Sequence, residues 1–211
     1  MNEAEPLFRE TLEGSRRTLG DTHPSILTMI NNLGVLLQAQ GHLNEAEPLC
    51  REALDAQRRI LGDTHPSTIC SINNLGRLLQ AQGKLREAES LFRKALEVRR
   101  RALGDTHPDT LTSINNLAML LQDQGKLNEA VTLMKEALEG RRCTLGDTHP
   151  STLVSINNLG LLFKAQGKLN EAEPLFREAV SGAKKTLGDA HPKTVRYQKN
   201  FDLLVQKMGK A

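Results

Sequence analysis

Five Asp-x-His-Pro strings carry the chain's most reactive side chains: Asp21 with His23, Asp63 with His65, Asp105 with His107, Asp147 with His149 and Asp189 with His191. A carboxylate two residues from an imidazole could serve a metal site. The spacing argues against it. The strings recur every 42 residues, and stacked helical units stand about 10 Å apart, whereas the ligands of one zinc ion sit about 2 Å from it. One Asp and one His per unit are too few to hold a metal ion. With Pro directly after each His, the string reads as the start of a helix, with Asp21 or Thr22 as the expected cap and Pro24 in the first turn.

The remaining candidates for chemistry are few. Cys50, Cys70 and Cys143 fall at three different places in the repeat, so they suggest neither a disulfide framework nor a metal-ligand pair, and their odd number suits a reducing compartment. His42 stands where the other units carry Lys. No phosphate loop, nucleophile elbow or HExxH string occurs. The expectation is a chain that is not an enzyme and uses no metal or cofactor. A net charge of +3 and an aromatic content of 3% give nucleic acid neither a strong field nor stacking rings. No run approaches the roughly 18 apolar residues that cross a bilayer, and the acidic N-terminus lacks the pattern of a signal peptide. A cytoplasmic chain with no nucleic-acid or membrane partner is expected.

The most informative polar residues are paired asparagines: Asn31-Asn32, Asn73-Asn74, Asn115-Asn116 and Asn157-Asn158. Asn is a mediocre helix former, so two in mid-helix, four times over, need a reason. The elements that position them follow from the period. A fixed repeat of 20 to 50 residues marks an array whose units bury their apolar faces only against neighbours.

Within the first full unit, Leu27, Ile30, Leu33, Gly34 and Leu37 recur at three- and four-residue steps and define one helix, which Gln40-Gly41 ends. A second helix opens with Asn44 as cap and Pro48 in its first turn. Its apolar stripe is Leu43, Ala46, Leu49, Cys50, Ala53, Leu54, Ile60 and Leu61. Gly34, Gly76, Ala118 and Gly160 share one column, which fits a close approach of two helices, with Ala46, Ala88, Ala130 and Ala172 as the expected partners.

The strings INNLG and QGKLNEAEPLF resemble the tetratricopeptide repeat, and the 42-residue period with its LGDTHP linker resembles the variant found in kinesin light chains, longer than the usual 34-residue form. The resemblance covers essentially the whole chain. It implies an all-α, right-handed α-solenoid of antiparallel helix pairs, about ten helices, with first helices on the concave side. The array 1–211 then divides into an orphan second helix at 2–19, full repeats at 20–61, 62–103, 104–145 and 146–187, and a terminal capping helix within 188–211. In that last helix Asp202 replaces the small packing residue and Lys199 the first Asn.

The same resemblance implies that the second Asn of each pair (Asn32, Asn74, Asn116 and Asn158) faces the groove and hydrogen-bonds a ligand's backbone. The first of each pair (Asn31, Asn73, Asn115 and Asn157) is either a further groove contact or part of a structural ladder between repeats. One turn to either side, Thr28, Cys70, Thr112 and Val154, then Val35, Arg77, Met119 and Leu161, vary where their surroundings repeat. Lysines that clamp acidic ligands in the family are absent, so a neutral or amphipathic segment fits better.

The second helices carry acids at their starts (Glu45, Glu47, Glu87, Glu129, Glu171) and bases at their ends (Arg58, Arg59, Arg100, Arg141, Arg142). Stacked, they would give one acidic and one basic edge. Two functions remain open. The first is a protein–protein interaction scaffold that holds a peptide segment in its groove. The second is a structural spacer or head-to-tail self-assembling array, engineered or recently duplicated, with no evolved ligand.

Overall fold

The computed structural model describes residues 4–209. Residues 2 and 3 of the predicted opening helix, and 210 and 211 of the terminal segment, lie outside the described residues. Ten helices follow one another, with no strand among the described residues: α1 (Ala4–Leu19), α2 (Pro24–Gln40), α3 (Leu43–Leu61), α4 (Pro66–Ala81), α5 (Leu85–Leu103), α6 (Pro108–Asp123), α7 (Leu127–Leu145), α8 (Pro150–Ala165), α9 (Leu169–Leu187) and α10 (Pro192–Met208). They form two compact units, Met1–Ala102 and Leu103–Ala211. In the first, α2 packs on α3 and α3 on α4; in the second, α6 through α10 pack each on the next.

Each first helix is started by histidine, not by Asp21 or Thr22. The Nδ1 atoms of His23, His65, His107, His149 and His191 accept from the backbone N–H two residues on, at 3.1–3.2 Å. Because Nδ1 accepts, the ring proton of each cap sits on Nε2. The aspartates instead turn back to the helix that precedes them, as Asp63 does to Arg58 at 3.0 Å and Asp147 to Arg142 at 3.1 Å. The turn before them needs Gly: Gly62 holds φ 83° and ψ 167°, a conformation open to Gly almost alone.

The second helices begin earlier than expected. The His42 carbonyl already accepts from the backbone N–H of Ala46 at 3.1 Å, so Leu43 opens α3 and Asn44 lies inside it. Pro48 therefore falls in the second turn, as does Pro174 in α9. The helical donor missing at Pro48 would have served the Asn44 carbonyl. Asn44 is exposed, so water can take its place.

The first-helix stripe is buried as expected. In α3 the core is Ala46, Cys50, Ala53, Leu54 and also Gln57, while Ile60 in the last turn is exposed. A Cβ added at Gly76 would come within 2.7 Å of the Phe92 ring, one at Gly160 within 3.0 Å of Phe176, and one at Gly34 would collide with Cys50 Sγ. The partner of the small column is thus the residue one turn beyond the predicted alanines. In the one unit with a Cβ there, Ala118, the partner column holds unbranched Met134, a side chain that adapts its shape.

Candidate functional site

The first and second helices divide polarity between them. On the second helices the charges pair along the stack. Arg51 joins Glu47 of its own helix and Glu87 of α5, both at 2.9 Å. Arg9 joins Glu5 at 2.8 Å and Glu45 at 3.3 Å, and Arg142 joins Glu178 at 2.6 Å. The expected acidic and basic edges are, to this extent, neutralised by their neighbours. Glu47 also accepts from Lys84 Nζ at 2.7 Å. That ammonium, with the amide of Gln82 and the guanidinium of Arg51, outweighs burial and holds the Glu47 carboxyl at about 2.

Arg141 departs from this pattern. It is only 7% exposed and donates to Ser155 Oγ, to the Leu111 carbonyl and to the Ser151 carbonyl. Burial pushes its guanidinium down from the usual range. It belongs to the packing between α6, α7 and α8, and not to a basic edge. The repeat columns show how the space is shared: Arg141 and Ser155 become Ala183 and Tyr197 one unit later, and both of these are fully buried.

The first-helix face is different in kind. In the first unit, α2 carries no charged residue and α4 only Arg77. Thr28, Asn32, Val35, Cys70 and Arg77 are exposed and Asn74 is half-buried. In the second unit Thr112 is exposed, while Asn116, Met119, Val154, Asn158 and Leu161 are half-buried. The hydroxyls of Thr28 and Thr112 bond back to the carbonyls of Pro24 and Pro108, at 3.0 and 2.8 Å, so their methyl groups are what the face offers.

The asparagine pairs split in a way their spacing did not reveal. Asn31, Asn73 and Asn157 are 4%, 8% and 1% exposed, which leaves them no open face, and Asn115 is half-buried. In the second unit a ladder joins the two columns. Asn158 Nδ2 donates to Asn115 Oδ1 at 3.0 Å, and Asn200 Nδ2 donates to Asn157 Oδ1 at 2.9 Å. Asn200, 42 residues beyond Asn158, is a rung that the repeated pairs did not reveal, because Lys199 breaks the pair before it. In the first unit the equivalent rung, Asn74 to Asn31, is open. The Asn74 amide lies 3.9 Å from Cys70 Sγ, a weak contact, and the Asn31 Oδ1 atom is buried with no partner.

On the opposite side of the second unit, a cleft of about 690 Å³ opens between α7 and α9 over Leu159 and Phe163 of α8. Lys135 and Lys168 stand 5.5 and 5.9 Å from the Phe163 ring centre. No helix among the described residues is long and apolar enough to cross a membrane, and all three cysteines are free.

A tetratricopeptide repeat family model matches residues 1–47, 25–101, 68–143 and 113–185. The chain belongs to the tetratricopeptide repeat family, whose members generally mediate protein–protein interaction or scaffolding. Its helix pairs are similar to the nearly identical TPR-like repeats of a kinesin light chain-like protein from Podosopora anserina. That likeness has 31% identity, a TM-score of 0.77 and coverage of 89% of each chain. BtubC (BKLC) from P. vanneervenii shares the fold at 22% identity and a TM-score of 0.82, over 99% of this chain and 84% of that one. Comparison with curated protein sequences gave no match.

Proposed function

We propose that the chain is a protein-interaction module that holds an extended segment of a partner protein against its first-helix face. The supporting observation is the division of polarity. The second helices use their charges on one another, while the first helices present amides, methyl groups and thioether or aliphatic side chains. In the first unit Asn32 and Asn74 supply donors and acceptors suited to a peptide backbone and Val35 supplies apolar contact; in the second unit Asn116 supplies the amide, and Met119 and Leu161 the apolar contact. The free cysteines fit a reducing, cytoplasmic setting.

Self-assembly comes second in this reading. Val195, Leu203 and Val205 of α10 are exposed apolar residues on which another copy could stack. Asp202, however, occupies the column that elsewhere holds Gly or Ala, and it accepts from Gln198 at 2.9 Å. A charged side chain there opposes the close approach of a further second helix.

The test is selection of binders from a random dodecapeptide display library on the whole chain. Asn32→Ala, Asn74→Ala and Asn116→Ala together should weaken the selected peptides at least tenfold while the helical circular dichroism is retained. Unchanged affinity would contradict the assignment.

A further inference from the structure

The two units offer their first-helix faces unequally. In the second, the amides of Asn158 and Asn200 are committed to the ladder that satisfies Asn115 and Asn157, and of the three amides in that column only Asn116 is left uncommitted among the described residues. In the first, the rung is open: Asn74 makes only a weak contact with sulfur, and Asn32, a turn below Val35, is exposed without a partner among the described residues. An amide that is not serving the fold is available to a ligand without breaking a hydrogen bond that would have to be replaced. The charge on the face is equally lopsided. Arg77 is the sole ion on α2 and α4, it is exposed, and among the described residues no carboxylate pairs with it. Arg9 and Arg51, exposed on the second helices, sit beside acids; Arg77 has none among the described residues.

We propose that the α2–α4 face of the first unit is the part of the molecule that reads the partner, and that its ligand is a short extended segment, largely uncharged, with one carboxylate placed to meet Arg77. This deepens the interaction-module reading and rests on it. The guanidinium suits a carboxylate because its fork can donate two parallel hydrogen bonds. The open amides of Asn32 and Asn74 fix the backbone on either side, and Val35 favours an apolar residue at the edge. Neighbouring helix axes lie about 10 Å apart. A face two helices wide, about 20 Å, therefore accommodates about six residues at about 3.3 Å each. Longer peptides gain nothing from the committed amides of the second unit.

The experiment uses the whole chain and peptides selected from a random dodecapeptide display library, with affinities read by fluorescence anisotropy. The selected sequences should share one Asp or Glu. Arg77→Gln should weaken them about tenfold and flatten the salt dependence of binding, and Arg77→Glu should shift a fresh selection toward Lys and Arg. Val154→Ala and Asn158→Ala, on the second unit, should change affinity less than twofold. Melting temperatures of all four variants control for folding. Peptides without a shared acid, or peptides weakened by Val154→Ala and Asn158→Ala but not by Arg77→Gln, overturn this inference and leave the interaction-module reading standing. Binders indifferent to both faces, or a library that yields no binder, overturn both.

Discussion

Asn158 donates its side-chain amide to Asn115 across 3.0 Å, whereas Asn74, two repeats earlier, leaves the Asn31 oxygen buried and unserved. The same residue type in the same repeat position thus has two roles. Removing Asn158 strands an acceptor inside the second unit. Asn158→Ala should cost about 1 kcal/mol of unfolding free energy, and Asn74→Ala should cost less than half of that. Urea denaturation of the two variants side by side measures the difference; equal losses would mean that the first unit closes its rung in solution.

The histidine caps predict a specific substitution pattern. His149→Ala removes the acceptor that Ser151 N–H uses at 3.1 Å and should destabilise by about 1 kcal/mol. His149→Asn, which restores a short acceptor at the cap, should recover most of it. If both variants melt with the parent, the imidazole is not the cap. Nitrogen chemical shifts of the five imidazoles should also report the Nε2–H tautomer.

Gly76 tests the close approach of the helix pair. An Ala there gains about 1 kcal/mol of helix propensity but meets Phe92, which is fully buried and has nowhere to swing. Overpacking of this kind costs about 1–3 kcal/mol, so Gly76→Ala should be a net loss. Adding Phe92→Met, which reproduces the Ala118 and Met134 combination of another unit, should shrink that loss. A double-mutant cycle in thermal denaturation gives the coupling, and strict additivity would rule out the contact.

Glu47 makes stability depend on acid. Its carboxyl is held at about 2 by Lys84 first of all, against an ordinary value of 4.5. A depressed pKa means that the stabilisation is fully present above the unfolded value and is lost as pH falls through the folded one. The stability gap between the parent and Glu47→Gln should therefore be constant above about pH 5 and close between pH 4.5 and 2. Urea midpoints across that range check it. A gap that persists at pH 2 would show that the carboxylate's partners are not its source.

What could be read without coordinates followed from how local each feature is. Pro24 and Gly41 bracket a helix by backbone rules that need only a few residues, and Leu27 to Leu37 repeat with a helical step, so the helix pairs and their order were legible. Partners across the stack were not. Arg51 meets Glu87, which lies 36 residues ahead in sequence, and only the stacking register shows that their helices run side by side. Arg141 looked like part of a charged edge because Arg142 beside it is one, yet a helical turn of 100° per residue sends one inward and the other out. The clue was present in its column, where Gln57 and Ala183 also stand. The asparagine pairs carried the same signal in every unit, so no inspection of the repeat alone could tell the closed rungs from the open ones. Pro48 misplaced the second helix start because a proline was assumed to need the first turn, when an exposed Asn44 carbonyl accepts water instead.

The central claim is that the first-helix face receives the partner. Side-chain amide resonances of the asparagines, followed by nuclear magnetic resonance as a selected peptide is titrated into the labelled chain, address it most directly. The account predicts shifts at the Asn32 and Asn74 amides, with Asn158 nearly still. Movement confined to the guanidinium signals of Arg51 and Arg142, on the second helices, would contradict it.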